Sequence, residues 1–300
     1  MTDGKGKLSF SELIASLDTR GVMFEEMTKS QAIHVLQNKN YYYKISAFRK
    51  NFYKKDGRYF QLDFANLVDL ASIDMQIRYF LMEISLDIEH SIKIQLMRLI
   101  TENEKEKEDG YTLVQEFSAS YPFSYNKFYS QFERSRYQND MFDKRHAHIP
   151  VWTLIELMDF GSLVDFVQFY YQKYDNQRLK KMNNLCISAK YIRNACAHNN
   201  VLMINFFGRK NQLKKYPSAA VQDYARSIGI ERKFVTSKKV NDLISLFALE
   251  KEYASAELLG YRRERGNELL QGCLRYSDKY KENQNLVDLY HIFSALVHYL

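Results

Sequence analysis

Residues 74–100 read DMQIRYFLMEISLDIEHSIKIQLMRLI, and this stretch decides the fold. Its apolar positions are Ile77, Leu81, Ile84, Ile88, Ile92, Leu96 and Leu99, spaced 4, 3, 4, 4, 4 and 3 apart. That is one stripe with the period of an α-helix. At 1.5 Å rise per residue, the helix from Asp74 to Ile100 is roughly 40 Å long, enough to set the size of a helical bundle.

Composition agrees. Only 3 Pro and 11 Gly occur in 300 residues, too few for the turns of a many-stranded protein, while 46% hydrophobic residues allow a sizeable core. The 23 Tyr and 20 Phe are expected mainly as core and rim aromatics, with few left for stacking on nucleic acid. An all-α fold is therefore predicted.

On the N-terminal side, Leu8–Leu17 predicts a short helix stopped near Arg20-Gly21. Thr28–Leu36 predicts a second, with Thr28 as N-cap. Asn40–Phe52 contains YYYKISAF (41–48), which β-propensity alone would allow as a strand; its neighbours favour a helix. Lys54–Arg58, with Gly57, reads as a turn.

On the C-terminal side, Glu102–Asp109 carries five acidic and two basic residues and reads as a solvated loop or frayed helix end. Residues 120–149, with Pro122, read as irregular. Pro150 is expected in the first turn of a helix running through Trp152, Leu154, Ile155 and Met158, broken at Gly161. A helix over Leu163–Tyr171 follows.

Arg178–Asn199 is predicted as a helix burying Met182, Leu185, Ala189, Ile192 and Cys196. Asn199-Asn200 is its stop signal, because Asn tolerates the left-handed conformation. Three last helices are expected near Val240–Leu249, Ser255–Tyr276 and Leu286–Tyr299. The reading divides the chain into a helical core, residues 1–205, and a basic segment with a helical C-terminal extension, residues 206–300.

The net charge of +7 leans towards acidic partners such as nucleic acid. Arg209–Lys239 alone holds nine basic and two acidic residues. Cys186, Cys196 and Cys273 form no CxxC or zinc spacing, and the first ten residues contain no apolar signal-peptide core. No run approaches a membrane span. A cytoplasmic protein is expected, without metal, cofactor or membrane contact. His146 and His148 lack a Cys or carboxylate pair to complete a zinc site. No Gly-rich phosphate loop or nucleophile elbow occurs.

The candidate chemistry lies in YIRNACAH, residues 191–198. Asn194 and His198 are four apart and share a helix face. Arg193 and His198 are five apart, about 140° around the axis. Arg offers a planar, permanently charged fork for phosphate oxygens. His titrates near neutrality and moves protons. Together they suit attack of a ribose 2′-hydroxyl on its own phosphodiester. The spacing alone is a weak pattern and favours the plainer outcome, Arg in a surface ion pair and His as a cation at a helix C-terminus.

Residues 192–202, IRNACAHNNVL, resemble the R-N-x-x-x-H signature of HEPN-domain ribonucleases. More specifically, the chain resembles the Abi-like (abortive infection, AbiD/AbiF-type) family of bacterial phage-defence proteins. Four further stretches carry that resemblance: LIASLDTRG (13–21), NYYYKISAF (40–48), the D-x-x-I-R helix from Asp74 to Glu89, and PVWTLIELMDFG (150–161). Lys44 and Ala47 depart from the family pattern.

The resemblance implies a HEPN-type helical bundle core and metal-independent endoribonuclease activity, leaving a 2′,3′-cyclic phosphate. Arg193, Asn194 and His198 would be the catalytic residues. It also implies a homodimer that pairs two motifs, with a structured small RNA or an antitoxin as regulatory partner. Asn200 replaces a tyrosine that some such proteins carry. Candidate RNA contacts are Lys190 on the motif helix, Lys144 and Arg145, and Arg209 and Lys210; ordinary surface charge is the alternative for each. The competing function is a non-cleaving RNA-binding or scaffold protein on the same fold.

Overall fold

The computed structural model describes residues 6–103 and 109–300, and these are overwhelmingly helical. The long central helix, α4 once the three short helices before it are counted, spans Phe64–Thr101. It begins ten residues before Asp74, so its 38 residues extend about 57 Å. Asp63 sets that start. Its carboxylate accepts from Ala65 N at 2.8 Å, while Asn66 Oδ1 accepts from Asp63 N at 2.9 Å. This is a reciprocal cap that satisfies donors the helix cannot pair internally.

Before it lie α1 (Phe10–Thr19), α2 (Lys29–Asn38) and α3 (Tyr42–Ala47). Thr28 caps α2 as expected, and the tyrosine-rich run is helical. The turn at Gly57 joins two-residue strands, β2 (Lys54–Lys55) and β3 (Arg58–Tyr59). A parallel pair, β1 (Val22–Met23) with β4 (Leu62–Asp63), ties the α1–α2 connection to the head of α4.

Residues 120–149 are not irregular. After α5 (Thr112–Ser120) come α6 (Pro122–Glu133) and α7 (Asn139–Arg145). Pro122 opens α6 because a first-turn residue needs no N–H partner. Tyr125, Phe128, Tyr129 and Phe132 then carry a helical period of their own. The next break is also elsewhere. Helix α8 (Val151–Leu157) ends at Met158, and Asp159 caps α9 (Phe160–Tyr174) by accepting from Gly161 N at 2.8 Å. Gly161 therefore lies inside α9, not at a break. Of the acidic run, residues 104–108 lie outside the described residues.

Helix α10 (Lys180–Ala197) buries Met182, Leu185, Ala189, Ile192 and Cys196 as predicted. The basic segment contains two helices that the sequence reading did not anticipate, α11 (Ala219–Ser227) and α12 (Arg232–Val235). Then follow α13 (Lys238–Tyr253), α14 (Ala256–Cys273) and α15 (Gln284–His298). Helices α10 and α13 pack on each other and both pack on α4. Helix α13 buries Val240, Asn241 and all of 243–250, as befits a helix enclosed on every side.

Phe80 of α4, Phe247 of α13 and Phe293 of α15 meet with ring centroids 6.0–6.4 Å apart, tilted or edge-on. Gly266 of α14 lets α15 approach: a Cβ there would stand 2.6 Å from Val297 Cγ1.

Candidate functional site

The motif occupies the last turn of α10 and the residues that close it. His198 N donates to Asn194 O at 2.9 Å, Asn199 N to Cys196 O at 3.0 Å, and Asn200 N to Ala195 O at 2.9 Å. Asn199 is left-handed, with φ of 58°. This is the Schellman closure, with Asn in place of the usual Gly. It leaves His198 exposed just beyond the helix, where the backbone carbonyls favour a cation.

What holds that closure in place is a buried polar cluster on α3 and α4. Asp74 and Arg78 are 0% and 2% exposed, and Arg78 Nε donates to Asp74 Oδ2 at 2.9 Å. Asp74 Oδ1 accepts from Leu202 N and Met203 N, both at 2.8 Å. Arg78 Nη1 donates to Asn199 Oδ1. Lys44 Nζ donates to Asn199 O at 3.2 Å. Burial, followed by repulsion from Arg78, lowers the pKa of Lys44. From the other side, Lys239 Nζ donates to Leu202 O and Ile204 O, both at 2.7 Å. Residues 199–204 are thus fastened to α3, α4 and α13. A buried charge remains stable only when its donors and acceptors are met: Asp74 and Arg78 pair with each other, whereas Lys44 and Lys239 donate to backbone carbonyls.

Arg193 turns towards α4. Its Nη2 lies 4.0 Å from Glu89 Oε2, and its Nη1 donates to Asn194 Oδ1 at 3.3 Å. Its Nε is buried without a hydrogen-bond partner. Burial raises the pKa of Glu89, Lys93 and Arg193 pull it back, and Asp159 adds to the rise. Asp159 itself goes the other way. Burial works against its charge, but Lys127 at 3.0 Å and Ser162 outweigh it and lower its pKa. Lys93 Nζ also donates to Glu156 O at 2.6 Å. A chain of alternating charge, Lys127, Asp159, Lys93 and Glu89, therefore leads up to the guanidinium on one side.

The structure brings Arg193 and Asn194 together through their side chains, whereas Asn194 meets His198 through its backbone carbonyl. Among the described residues no hydrogen bond joins the side chains of Arg193 and His198. Lys190, half-buried, passes its stem over Gly161 of α9. Lys144 and Arg145 are exposed at the end of α7, which packs on α6. Arg209 and Lys210 lie in an exposed 3₁₀ turn, and Lys238 Nζ donates to Lys210 O at 3.3 Å.

The sequence reading missed Asp74, Arg78 and Lys44 as site residues. The signal available was their place in two of the quoted family segments. Among the described residues, no group of three or more His, Cys, Asp or Glu side chains is placed to hold a metal ion, and no helix is long and apolar enough to cross a membrane.

Fold and site define an all-α protein whose Arg-Asn…His motif is pinned to a long central helix by a buried Asp–Arg pair. Residues 34–203 match the family described as Abi-like protein, and the chain belongs to that family. Membership implies a role in abortive infection, a phage-defence strategy. The match takes in the motif and its buried cluster but begins after the opening helix, α1. No curated protein and no solved structure matches the chain.

Proposed function

We propose that the chain is a metal-independent endoribonuclease of HEPN type that acts in abortive infection. The observation that carries this reading is the state of Arg193. Glu89 stands at the limit of ion pairing, a neighbouring amide oxygen takes one N–H, and the side chain is 26% exposed, with its Nε sealed from solvent. A guanidinium has five donors, and the Nη1 and Nη2 hydrogens not given to Asn194 keep the capacity to take a phosphate.

In the proposed reaction a ribose 2′-oxygen attacks the adjacent phosphorus. The bond from O2′ to phosphorus forms as the bond to the leaving 5′-oxygen breaks, giving a 2′,3′-cyclic phosphate and a 5′-hydroxyl. His198 takes the proton from the 2′-hydroxyl or delivers one to the leaving oxygen. Positioned proton transfer of this kind contributes about 10²–10⁴-fold. Arg193 stabilises the charge that builds on the phosphoryl oxygens. Asn194 holds the Arg193 fork in place, and Lys190 adds positive charge on the same helix.

A homodimer supplies what one chain lacks. Ile187 and Tyr191 are 40% and 57% exposed, and with Asn194 and His198 they form one stripe at spacings of 4, 3 and 4. A second copy covering that stripe would set two motifs side by side, so that Arg193 and His198 from different chains serve one phosphate.

The test is cleavage of total RNA by purified protein in EDTA, with the ends mapped. Arg193→Ala and His198→Ala should each abolish cutting while keeping the helical circular dichroism signal, and the cut ends should carry cyclic phosphate. Undiminished cutting by both variants would refute the assignment. Intact RNA that is bound but never cut would favour the non-cleaving alternative.

A further inference from the structure

Behind the motif lies a cavity of about 280 Å³ between α4, α13, α14 and α15. Ile192 and Leu202 form part of its wall; Arg193, Asn194 and His198 do not. Its lining is almost wholly apolar, with Ile77 and Leu81 from α4, Leu243 from α13 and Phe293 from α15. Tyr280 contributes its ring, since its hydroxyl donates outward to Asp69 Oδ2 at 2.7 Å. The exposed residues Leu274, Lys281 and His291 mark the mouth.

Two lysines belong to the lining, exposed Lys281 at the mouth and Lys239 within the wall. The Lys239 ammonium has three donors and gives two of them to the carbonyls of Leu202 and Ile204. Burial draws its pKa down to about 8 against the pull of Asp74, so an added anion would stabilise its charge. A pocket with an apolar body and one placed polar group has the form of a small-molecule site. For scale, a cavity of about 150 Å³ holds benzene, so this one has room for roughly eleven carbon atoms.

We propose that this cavity binds an aliphatic carboxylate of about ten carbons, with its chain among Ile77, Leu81, Leu243 and Phe293 and its head group on Lys239. The carboxylate takes the third ammonium donor. Lys239 is also the fastening of residues 202–204, four residues past His198. The ligand therefore acts on the segment that closes the motif helix, and the site is regulatory. Its effect on RNA cutting rests on the ribonuclease reading; binding does not.

The experiment is titration of the full chain with decanoate, read by calorimetry and by hydrogen exchange at the Leu202 and Met203 amides. Decanoate should bind and change that exchange. 1-Decanol, which lacks the charge, should bind about tenfold or more weakly, and Lys239→Met should weaken decanoate by a similar factor. Val287→Trp, at a half-buried position of the lining, should block binding while leaving the melting temperature near wild type. Failure of decanoate to bind, or equal binding by Lys239→Met or by a folded Val287→Trp, would overturn the proposal. Decanoate binding by a protein that never cuts RNA would uphold the site and remove only the ribonuclease reading.

Discussion

Replacing Asp74 with Asn tests whether the buried cluster holds the motif. The carboxylate accepts three hydrogen bonds: from Arg78 Nε at 2.9 Å and from the Leu202 and Met203 amides at 2.8 Å. Asparagine keeps the shape but loses the charge, and its NH₂ then opposes the Arg78 donor. Breaking a buried pair by removing one charge costs about 3–5 kcal/mol, because the other is left uncompensated. Unfolding entropy of about 2.1 cal/mol/K per residue gives roughly 0.6 kcal/mol/K for 300 residues. The melting temperature should therefore fall by about 5–8 °C. Hydrogen exchange at Leu202 and Met203 should quicken before global unfolding, since those amides lose their acceptor. Adding Arg78→Met should cost less than the sum of the single changes, because the pair acts as a unit. A fall of under about 2 °C, or a fall with unchanged exchange at 202–203, would refute the reasoning.

Glu250 predicts a pH dependence. Burial raises its carboxyl to about 8, Asp87 adds to the rise and Arg262 opposes it. The folded protein then holds a proton that the unfolded chain releases near 4.5, so this group's contribution falls as pH rises from about 4.5 to about 8. The total change is at most about 5 kcal/mol, and Glu250→Gln should remove that part of the slope in denaturant titrations run across pH. Gly266→Ala would press a methyl onto Val297 and should cost about 1–3 kcal/mol, seen as a lowered denaturation midpoint. Asn199→Ala should lose about 1–2 kcal/mol from the left-handed backbone alone, plus the acceptor for Arg78, whereas Asn199→Gly should lose only the acceptor. Thermal melts of the two variants side by side separate these contributions.

The sequence by itself determined the helical fold, the buried stripes of α4 and α10, the Thr28 cap and the stop at Asn199. Each is a local property: a period of 3.6, a side chain that reaches its own backbone, or a residue that tolerates positive φ. The start of α4 was less legible, because the stripe was read from Asp74 and the Asp63–Asn66 cap went unread. Residues 122–145 looked irregular because Pro122 drew attention away from the aromatic period that follows it. Tertiary structure alone decided the use of the polar residues. Asp74 and Arg78 occupy core-facing positions on α4, where a charge reads as an interruption of the stripe. They are buried because their partners, Asn199, Leu202 and Met203, come from a loop more than 120 residues away. The direction of Arg193 towards Glu89, the burial of Lys239 inside a basic segment and the enclosure of α13 were decided in the same way. Periodicity reports which side of a helix avoids water; it carries no record of what packs there.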